Sequence, residues 1–231
     1  MLDIALGSGF RWRKNAFQKQ IFLKVAFLCG IKYFDTAQQY EGGEEFLGAN
    51  TSKRYLIITK IGLGGDVTSE MSPELRWGNY HAPNLLGSQF EISLKRLNRS
   101  SCYGLLLHCV SDEFDFEDHV RELQALKRRG LVEKIGFSID KGQVFPSAFS
   151  WADIIQIHVS HLRDRRFSPS QSLMVNGVFR DNQESLFTEF SAQNPDSKLV
   201  LVIGTHRFDR LLLQTFKYKL IARRLKARGE P

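Results

Sequence analysis

Short apolar runs alternate with longer amphipathic stretches along nearly the whole chain. Runs rich in Ile, Val, Leu and Phe predict β-strands, and stretches with apolar residues at helical spacing predict α-helices. The predicted strands cover residues 2–6, 32–35, 55–60, 103–110, 134–138, 154–159, 173–179 and 199–203. The predicted helices cover residues 16–28, 44–49, 83–97, 116–129, 145–149, 185–192 and 208–225.

This alternation predicts an α/β protein with a parallel sheet and right-handed crossovers. Eight strands fit a closed (β/α)8 barrel, the TIM barrel, better than an open doubly wound sheet. No GxGxxG sequence follows a strand, so a Rossmann dinucleotide site has no support. Neither a repeat nor a low-complexity linker divides the chain, and we expect residues 1–231 to form one domain.

The connection after the sixth predicted strand is too short for a full crossover helix. About a dozen residues separate that strand from the next, and Pro169 between two serines disfavours a helix there. Such barrels take about 250 residues, whereas this chain has 231. We therefore expect a shortened barrel with this helix reduced or missing. Apolar barrel wall left exposed at that place would favour a homo-oligomer.

Composition and charge narrow the possible partners. A hydrophobic content of 42% over 231 residues is enough to bury a core, which excludes a disordered chain. The formal net charge is +7, but six basic residues and one acidic residue lie between Lys217 and the C-terminus and account for +5 of it. A run of this kind is typical of a solvated helix face, and we expect no nucleic-acid partner.

The cysteines and the N-terminal sequence bear on location. Three cysteines without CxxC spacing do not suggest a disulfide framework, and the chain does not open with a leader pattern. The apolar stretch 21–34 contains two lysines and is too short to span a bilayer. These features predict a cytoplasmic protein without a membrane partner.

Four polar residues lie where a barrel builds its active site. Asp35, Lys60 and His108 end predicted strands, and Tyr40 follows Asp35 by five residues. The C-terminal ends of barrel strands form the catalytic face. Taken singly, each residue has an ordinary structural explanation, such as a turn, a half-buried aromatic, a solvated strand end or a core histidine. Their occurrence together at one face favours a catalytic site.

The segments around these residues resemble those of the aldo-keto reductases. The matching segments are GIKYFDTA (30–37), GGEEFLG (42–48) after Tyr40, TK (59–60), SLKRL (93–97), LLH (106–108) and GLVEKIGFS (130–138). The resemblance extends from about residue 6 to about residue 214. It implies an NADP-dependent oxidoreductase, with NAD possible, that reduces an aldehyde or ketone of a small metabolite or sugar, for instance in biosynthesis.

The resemblance also implies a role for each of the four residues. Tyr40 would be the general acid that protonates the developing alkoxide. Lys60 beside it would lower the phenol pKa, and Asp35 would hold the Lys60 ammonium in place. His108 would donate a hydrogen bond to the substrate oxygen and orient the substrate.

The implied cofactor residues are less complete. Ser138 and Gln156 match positions at the nicotinamide carboxamide, Thr205 and Arg210 match positions at the adenosine phosphate, and Gln214 matches the position near adenine. The sequence departs from the family at Ile139, Asn176 and Gly204, where an amide, a stacking aromatic residue and a lysine are usual. Phe179 is a candidate replacement for the aromatic residue, and His206 or Arg207 for the lysine. Arg210 favours NADP because a guanidinium suits a phosphate.

These departures leave two alternatives open. One is a non-redox lyase or dehydratase that uses Tyr40 and Lys60 for proton transfer on the same scaffold. The other is a binding protein with a relic site. The three arginines of the short connection, Arg163, Arg165 and Arg166, would suit an anionic substrate. His158 and His161 have no further ligand at suitable spacing, so we expect no metal.

Overall fold

The computed structural model describes residues 2–9, 16–63, 80–110, 115–163, 167–205 and 207–227. These residues include eight strands: β1 (Leu2–Gly7), β2 (Tyr33–Asp35), β3 (Leu56–Ile61), β4 (Cys102–Leu107), β5 (Val132–Ile139), β6 (Ile154–His158), β7 (Ser172–Asn176) and β8 (Lys198–Gly204). They also include six α-helices: α1 (Ala16–Leu28), α2 (Gly43–Asn50), α3 (Leu86–Arg96), α4 (Glu117–Arg128), α5 (Glu184–Gln193) and α6 (Phe208–Ala227).

The eight strands form a closed parallel barrel. Each strand pairs in parallel with its successor along the chain, and β8 pairs with β1 through six residues in register. The predicted (β/α)8 barrel is therefore confirmed. It is also shortened as predicted, because β6 is followed by a 3₁₀ turn (Val159–Leu162) where a crossover helix would begin.

The helices follow ordinary sequence rules, and α4 shows them clearly. Its first turn carries Glu117 and Asp118, and its last turn carries Lys127 and Arg128, which complements the helix dipole. The helix stops before Gly130, whose φ of 73° is the left-handed conformation that glycine adopts without strain. Leucines on one face are buried against the strands.

Alternation along the strands separates two layers of the core. A small inner cluster fills the barrel and contains Ala5, Tyr33, Ile58, Leu106, Ile154, Met174, Val200 and Val202. Strand side chains repeat their direction every second residue. The next inward position on a strand therefore lies two residues after a member of the inner cluster. At the C-terminal end of the barrel these positions are Asp35, Lys60, His108, Gln156 and Asn176. The two-residue period of the strands therefore places these polar side chains inside the barrel at one end.

The connection between β5 and β6 also differs from a standard barrel. Residues 140–153 contain no α-helix, so the predicted helix at 145–149 is wrong. Pro146 explains this, because a proline disfavours helical backbone at the residue before it, here Phe145. Two consecutive crossovers, after β5 and after β6, therefore lack an α-helix in the described residues.

An aromatic cluster covers the barrel where these helices are lacking. The Phe145 ring lies 5.1 Å from Phe149, 5.9 Å from Phe167 and 5.8 Å from Phe137 between centroids. Phe167 in turn contacts Phe190 of α5 at 6.1 Å. The residues of β6 are all buried. The expected exposure of the barrel wall is therefore wrong, and it no longer gives a reason for a homo-oligomer.

Two strands end earlier than predicted because the backbone after them turns left-handed. β4 ends at Leu107, and Cys109 has a φ of 57°. β7 ends at Asn176, and Gly177 has a φ of 82°. A Cβ at Gly177 would collide with the His158 ring, so glycine is required there for space as well as for conformation.

Two further observations concern location and redox state. Within the described ranges, no helix combines the length and apolar character needed to cross a bilayer. Cys29, Cys102 and Cys109 form no disulfide bond with one another in the described residues.

Candidate active site

A cavity of about 900 Å³ opens at the C-terminal end of the barrel. The side chains of Tyr40, His108, Gln156 and Asn176 contribute to its lining. It extends towards β8, where Gly204 lies at its edge. The inward polar positions of the strands and the loops that follow them therefore share one space.

Lys60 contacts two of the other predicted residues, Asp35 and Tyr40. Its Nζ donates to Asp35 Oδ1 at 2.7 Å and to the Thr36 carbonyl at 2.9 Å, and it lies 3.5 Å from Tyr40 Oη. The Lys60 and Asp35 side chains are only 2% and 5% exposed. A buried ion pair needs such further hydrogen bonds to offset desolvation. The predicted grouping of Asp35, Tyr40 and Lys60 is present in the structure.

The pKa values at this group are set by competition between burial and charge. Burial lowers the pKa of Lys60, but Asp35 and Tyr40 outweigh it, so the pKa is raised and the ammonium stays charged. Burial raises the pKa of Tyr40, Lys60 lowers it and Asp35 raises it, with a result of about 12. Lys60 thus lowers the pKa of the phenol, as expected, but burial has the larger effect and the pKa is raised overall. Tyr40 is a neutral phenol in the unliganded protein.

His108, the residue after the end of β4, lies beside Tyr40. Its ring lies edge-on to the Tyr40 ring, with centroids 5.7 Å apart. Its backbone N–H donates to the Ile61 carbonyl at 3.0 Å, and its carbonyl accepts from the Tyr80 hydroxyl at 2.9 Å. Burial raises the pKa of Tyr80 well above its usual value, which keeps this hydroxyl a donor. The main chain of His108 is thus held on both sides.

Gln39 is a site residue that the sequence reasoning missed. Its Oε1 lies 3.1 Å from His108 Nδ1, and its Nε2 donates to the Leu63 carbonyl at 2.6 Å. It lines the cavity beside Tyr40. Its position directly before Tyr40 was the available signal, since a polar residue there shares the loop that places the phenol. Tyr80 was missed as well, and no sequence pattern marks it.

Gln156 lies in the predicted place and also ties the site together. Its Nε2 donates to Asp35 Oδ2 at 3.0 Å, so each oxygen of the Asp35 carboxylate has a donor. Its Oε1 is buried and has no partner within the described residues. An unsatisfied buried acceptor is costly. A carboxamide N–H is a fitting donor for it.

Ser138 does not line the cavity, and neither do the predicted residues Lys60, Thr205 and Arg210. The Oγ of Ser138 accepts from the Cys109 N–H at 3.0 Å and lies 3.5 Å from the Leu107 carbonyl. Its side chain supports the turn after β4. Its neighbour Ile139 is buried in the outer layer of the core and does not line the cavity.

The predicted phosphate and adenine positions lie at the start of α6. Thr205 Oγ1 accepts from the Arg207 N–H at 3.1 Å. Arg207 forms a two-point ion pair with Asp209, at 3.0 and 2.6 Å. This pair is exposed on both sides, so it is weak, and Arg207 stays a candidate replacement for the lysine usual at position 204. His206, the other replacement, lies outside the described residues.

The remaining cofactor candidates differ in their exposure. Arg210 is exposed, and its guanidinium forms no ion pair with any side chain in the described ranges. Gln214 lines the cavity, and its buried Oε1 has no partner there. Phe179 also lines the cavity, with Lys217 Nζ 5.6 Å from its ring centroid.

The weaker candidates do not form a site. His158 interacts with Asp181 and Ser160, whereas His161 contacts the Asp140 carbonyl. Across the described residues, no group of three potential metal ligands is found. Arg163 is exposed, and Arg165 and Arg166 lie outside the described residues.

Comparison with known proteins decides the family. The model of the Aldo/keto reductase family matches residues 3–199, which is most of the chain. The chain belongs to this family. Of the four residues for which the resemblance implies a role, Asp35, Tyr40 and His108 line the cavity, and Lys60 contacts Asp35 and Tyr40. No curated protein matches the chain in a sequence comparison.

Solved aldo/keto reductases share the fold at low sequence identity. PA4992 from Pseudomonas aeruginosa, assigned to the aldo-keto reductases, is 20% identical with a TM-score of 0.74, covering 95% of this chain and 90% of its own. The glycerol dehydrogenase AKR11B4 from Gluconobacter oxydans is 16% identical with a TM-score of 0.64, covering 96% and 90%. The Bombyx mori aldo-keto reductase AKR2E4, solved in complex with NADP, is 16% identical with a TM-score of 0.58, covering 94% and 87%.

Proposed function

We propose that this aldo/keto reductase uses NADPH to reduce an aldehyde or ketone of a small metabolite or sugar to an alcohol. Family membership supports oxidoreductase activity on carbonyl compounds. The observation that carries the proposal is the buried Asp35–Lys60 pair, which lies against Tyr40 beside His108 at the cavity. A proton donor and a polar ring thus line one space, and a buried cation lies directly against the proton donor.

Tyr40, Lys60 and Asp35 have different roles in the transfer of the proton to the substrate. A nicotinamide cofactor, when bound in this cavity, would supply the hydride for the reduction. Tyr40 donates its phenolic proton to the carbonyl oxygen, which becomes the alcohol, and the phenolate regains a proton from solvent. The Lys60 ammonium stabilises the phenolate while it exists. Asp35 holds Lys60 in place and is itself held by Gln156.

Several features support a nicotinamide dinucleotide in this cavity. Gln156 and Gln214 each have a buried oxygen without a donor in the described residues. In sequence they match the carboxamide and adenine positions of the family. Gly204 leaves open space at the cavity edge. Arg210, near the N-terminus of α6, is an exposed guanidinium suited to a phosphate and favours NADP over NAD. A related aldo-keto reductase was solved with NADP.

The test combines cofactor binding with turnover. Fluorescence titration compares NADPH with NADH, and NADPH consumption is then followed over a panel of aldehydes, ketones and sugars. We expect tighter binding of NADPH and a loss of about 100-fold or more in reduction for Tyr40→Phe, the range of general acid catalysis. Equal turnover by Tyr40→Phe would remove Tyr40 as the acid. Failure to bind either cofactor would overturn the reductase and favour the non-redox alternative.

A further inference from the structure

The orientation of the Gln39 amide follows from its neighbours. The Leu63 carbonyl lies 2.6 Å from one end of the amide and can only accept a hydrogen bond, so that end is the NH₂ group. The other end, Oε1, therefore faces His108 Nδ1 at 3.1 Å. The reverse orientation would place two acceptor oxygens against each other.

This orientation determines which ring nitrogen of His108 carries a proton. Gln39 Oε1 is an acceptor, so Nδ1 must donate to it. A neutral imidazole has a single N–H, and its other nitrogen is an acceptor. Neutral His108 is therefore the Nδ1–H tautomer, with Nε2 as an acceptor. Only the imidazolium donates from both nitrogens.

We propose that Gln39 is a positioning residue that fixes neutral His108 as the Nδ1–H tautomer, so that His108 can donate a hydrogen bond to a substrate carbonyl oxygen only as the imidazolium. The part that concerns the substrate rests on the proposed reductase function, whereas the part that concerns the tautomer does not. Carbonyl reduction then requires a protonated His108 in addition to a neutral Tyr40.

The surrounding structure keeps this arrangement in place. The Leu63 carbonyl belongs to an antiparallel bridge between Leu63 and Tyr80. Tyr80 in turn donates to the His108 carbonyl, and the His108 ring lies against Tyr40. Both partners of the Gln39 amide are therefore fixed by the same small group of residues. An exchange of tautomer would break one of these contacts.

The proposal predicts opposite pH trends for the two directions of the reaction. Reduction falls as the pH rises and the imidazolium loses its proton, whereas neutral Nε2 is suited to accept the hydroxyl proton of an alcohol. The titratable and charged groups that line the cavity with His108 are Asp35, Tyr40, Glu41, Cys109, Asp140, Lys141, His158 and Arg180, and Lys60 and Tyr80 contact this group. Burial lowers the pKa of His158, and a decline caused by His158 would persist in Gln39→Leu. The raised pKa values of Tyr40 (about 12), Tyr80 and Lys60 keep those three protonated throughout. They therefore cannot produce a decline near neutral pH.

The tautomer is measured directly by ¹⁵N NMR of the histidine-labelled, full-length protein. The sequence has six histidines, and the signals lost in His108→Asn identify His108. We expect a protonated Nδ1 and an unprotonated Nε2 in the neutral ring of the wild type. In Gln39→Leu we expect this preference to be lost. A wild-type neutral ring with the proton on Nε2 would overturn the proposal.

The second measurement is the pH profile of carbonyl reduction between about pH 5 and about pH 8. The wild-type rate is expected to fall about tenfold for each pH unit on the alkaline limb, as for any single required acid. In Gln39→Leu the neutral ring can place its proton on Nε2, so the fall over the same range is expected to be under about threefold. An unchanged profile in Gln39→Leu would contradict the proposal.

Gln38→Leu is the matched control. Gln38 lies in the same loop, is also partly buried, and donates through Nε2 to a backbone carbonyl, that of Gln89 at 3.2 Å. Its loss should leave both the His108 tautomer and the pH profile unchanged. If no carbonyl is reduced at any pH, the proposed function fails while the NMR result still decides the tautomer. If reduction occurs but the Nδ1–H tautomer is absent, only this inference fails.

Discussion

At the scale of single residues, the site depends on the buried charge of Lys60. The ammonium contacts the Asp35 carboxylate, the Thr36 carbonyl and the Tyr40 hydroxyl, so three functional groups are placed by one side chain. Two of these contacts join segments about 25 residues apart in sequence. Removal of the cation therefore affects stability as well as chemistry.

Lys60→Met is expected to lower the free energy of unfolding by about 3–5 kcal/mol, because it leaves the Asp35 carboxylate buried and unpaired. Urea unfolding at neutral pH measures the effect. The double variant with Asp35→Asn removes the orphaned charge and should recover part of the loss. A cost below about 1 kcal/mol for Lys60→Met alone would contradict this view of the pair.

Tyr40 should make stability fall at alkaline pH. Its pKa is raised from 10.0 to about 12 in the folded protein, so below about pH 10 both folded and unfolded chains keep the phenolic proton. Between about pH 10 and about pH 12 only the unfolded chain releases it, and this favours unfolding by about 3 kcal/mol in total. Urea unfolding across this range should show a smaller decline in Tyr40→Phe. Identical declines in the two proteins would argue against the raised pKa.

At the scale of elements, aromatic side chains take over the role of two crossover helices. Phe145 is 4% exposed and lies at the centre of this cluster, with ring contacts to Phe137, Phe149 and Phe167. Its neighbour Val144 is 52% exposed. The two residues share one loop and differ in burial, so they test the cluster directly.

Phe145→Ala is expected to cost about 3–5 kcal/mol of unfolding free energy, the usual range for a buried phenylalanine. Val144→Ala should change it by less than about 0.5 kcal/mol. Both values come from urea unfolding of the full chain. Similar losses of unfolding free energy in the two variants would mean that the aromatic cluster does not stabilise the barrel.

The elements also show what sequence could and could not predict. Periodicity and short apolar runs predicted the eight strands, and strand alternation is what brings Asp35, Lys60 and His108 to one end. The predicted helix at 145–149 is wrong because Pro146 disfavours helical backbone at Phe145, and the phenylalanines of this segment pack over the barrel without a helix. The Gln39–His108 and Gln156–Asp35 contacts span 69 and 121 residues. No local pattern encodes contacts of that separation.

At the scale of the whole molecule, closure of the barrel is independent of a complete ring of helices. Within the described residues, the connections before and after β6 contain no α-helix, yet β6 pairs with both β5 and β7 and is buried along its length. Global stability should therefore extend to this side of the barrel.

Hydrogen exchange tests this expectation. Amides of β6 should be protected to within about tenfold of those of β4, which is followed by the regular helix α4, because both exchange through global unfolding. Native-state exchange read out by mass spectrometry gives the comparison. Protection of β6 lower by several orders of magnitude would indicate local opening where the helices are lacking.

In a standard barrel, a crossover helix both spans the length of the barrel and covers the strands. Residues 140–153 span the barrel without a helix. A crossover must return the chain to the other end of the barrel, and β6 has five residues, about 17 Å at the rise of a parallel strand. Fourteen residues reach that distance easily without helical backbone. The strands are instead covered by phenylalanine side chains, which exclude water from them. In this chain, a parallel barrel therefore closes with phenylalanine side chains in place of outer helices, and a designed barrel could be shortened in the same way.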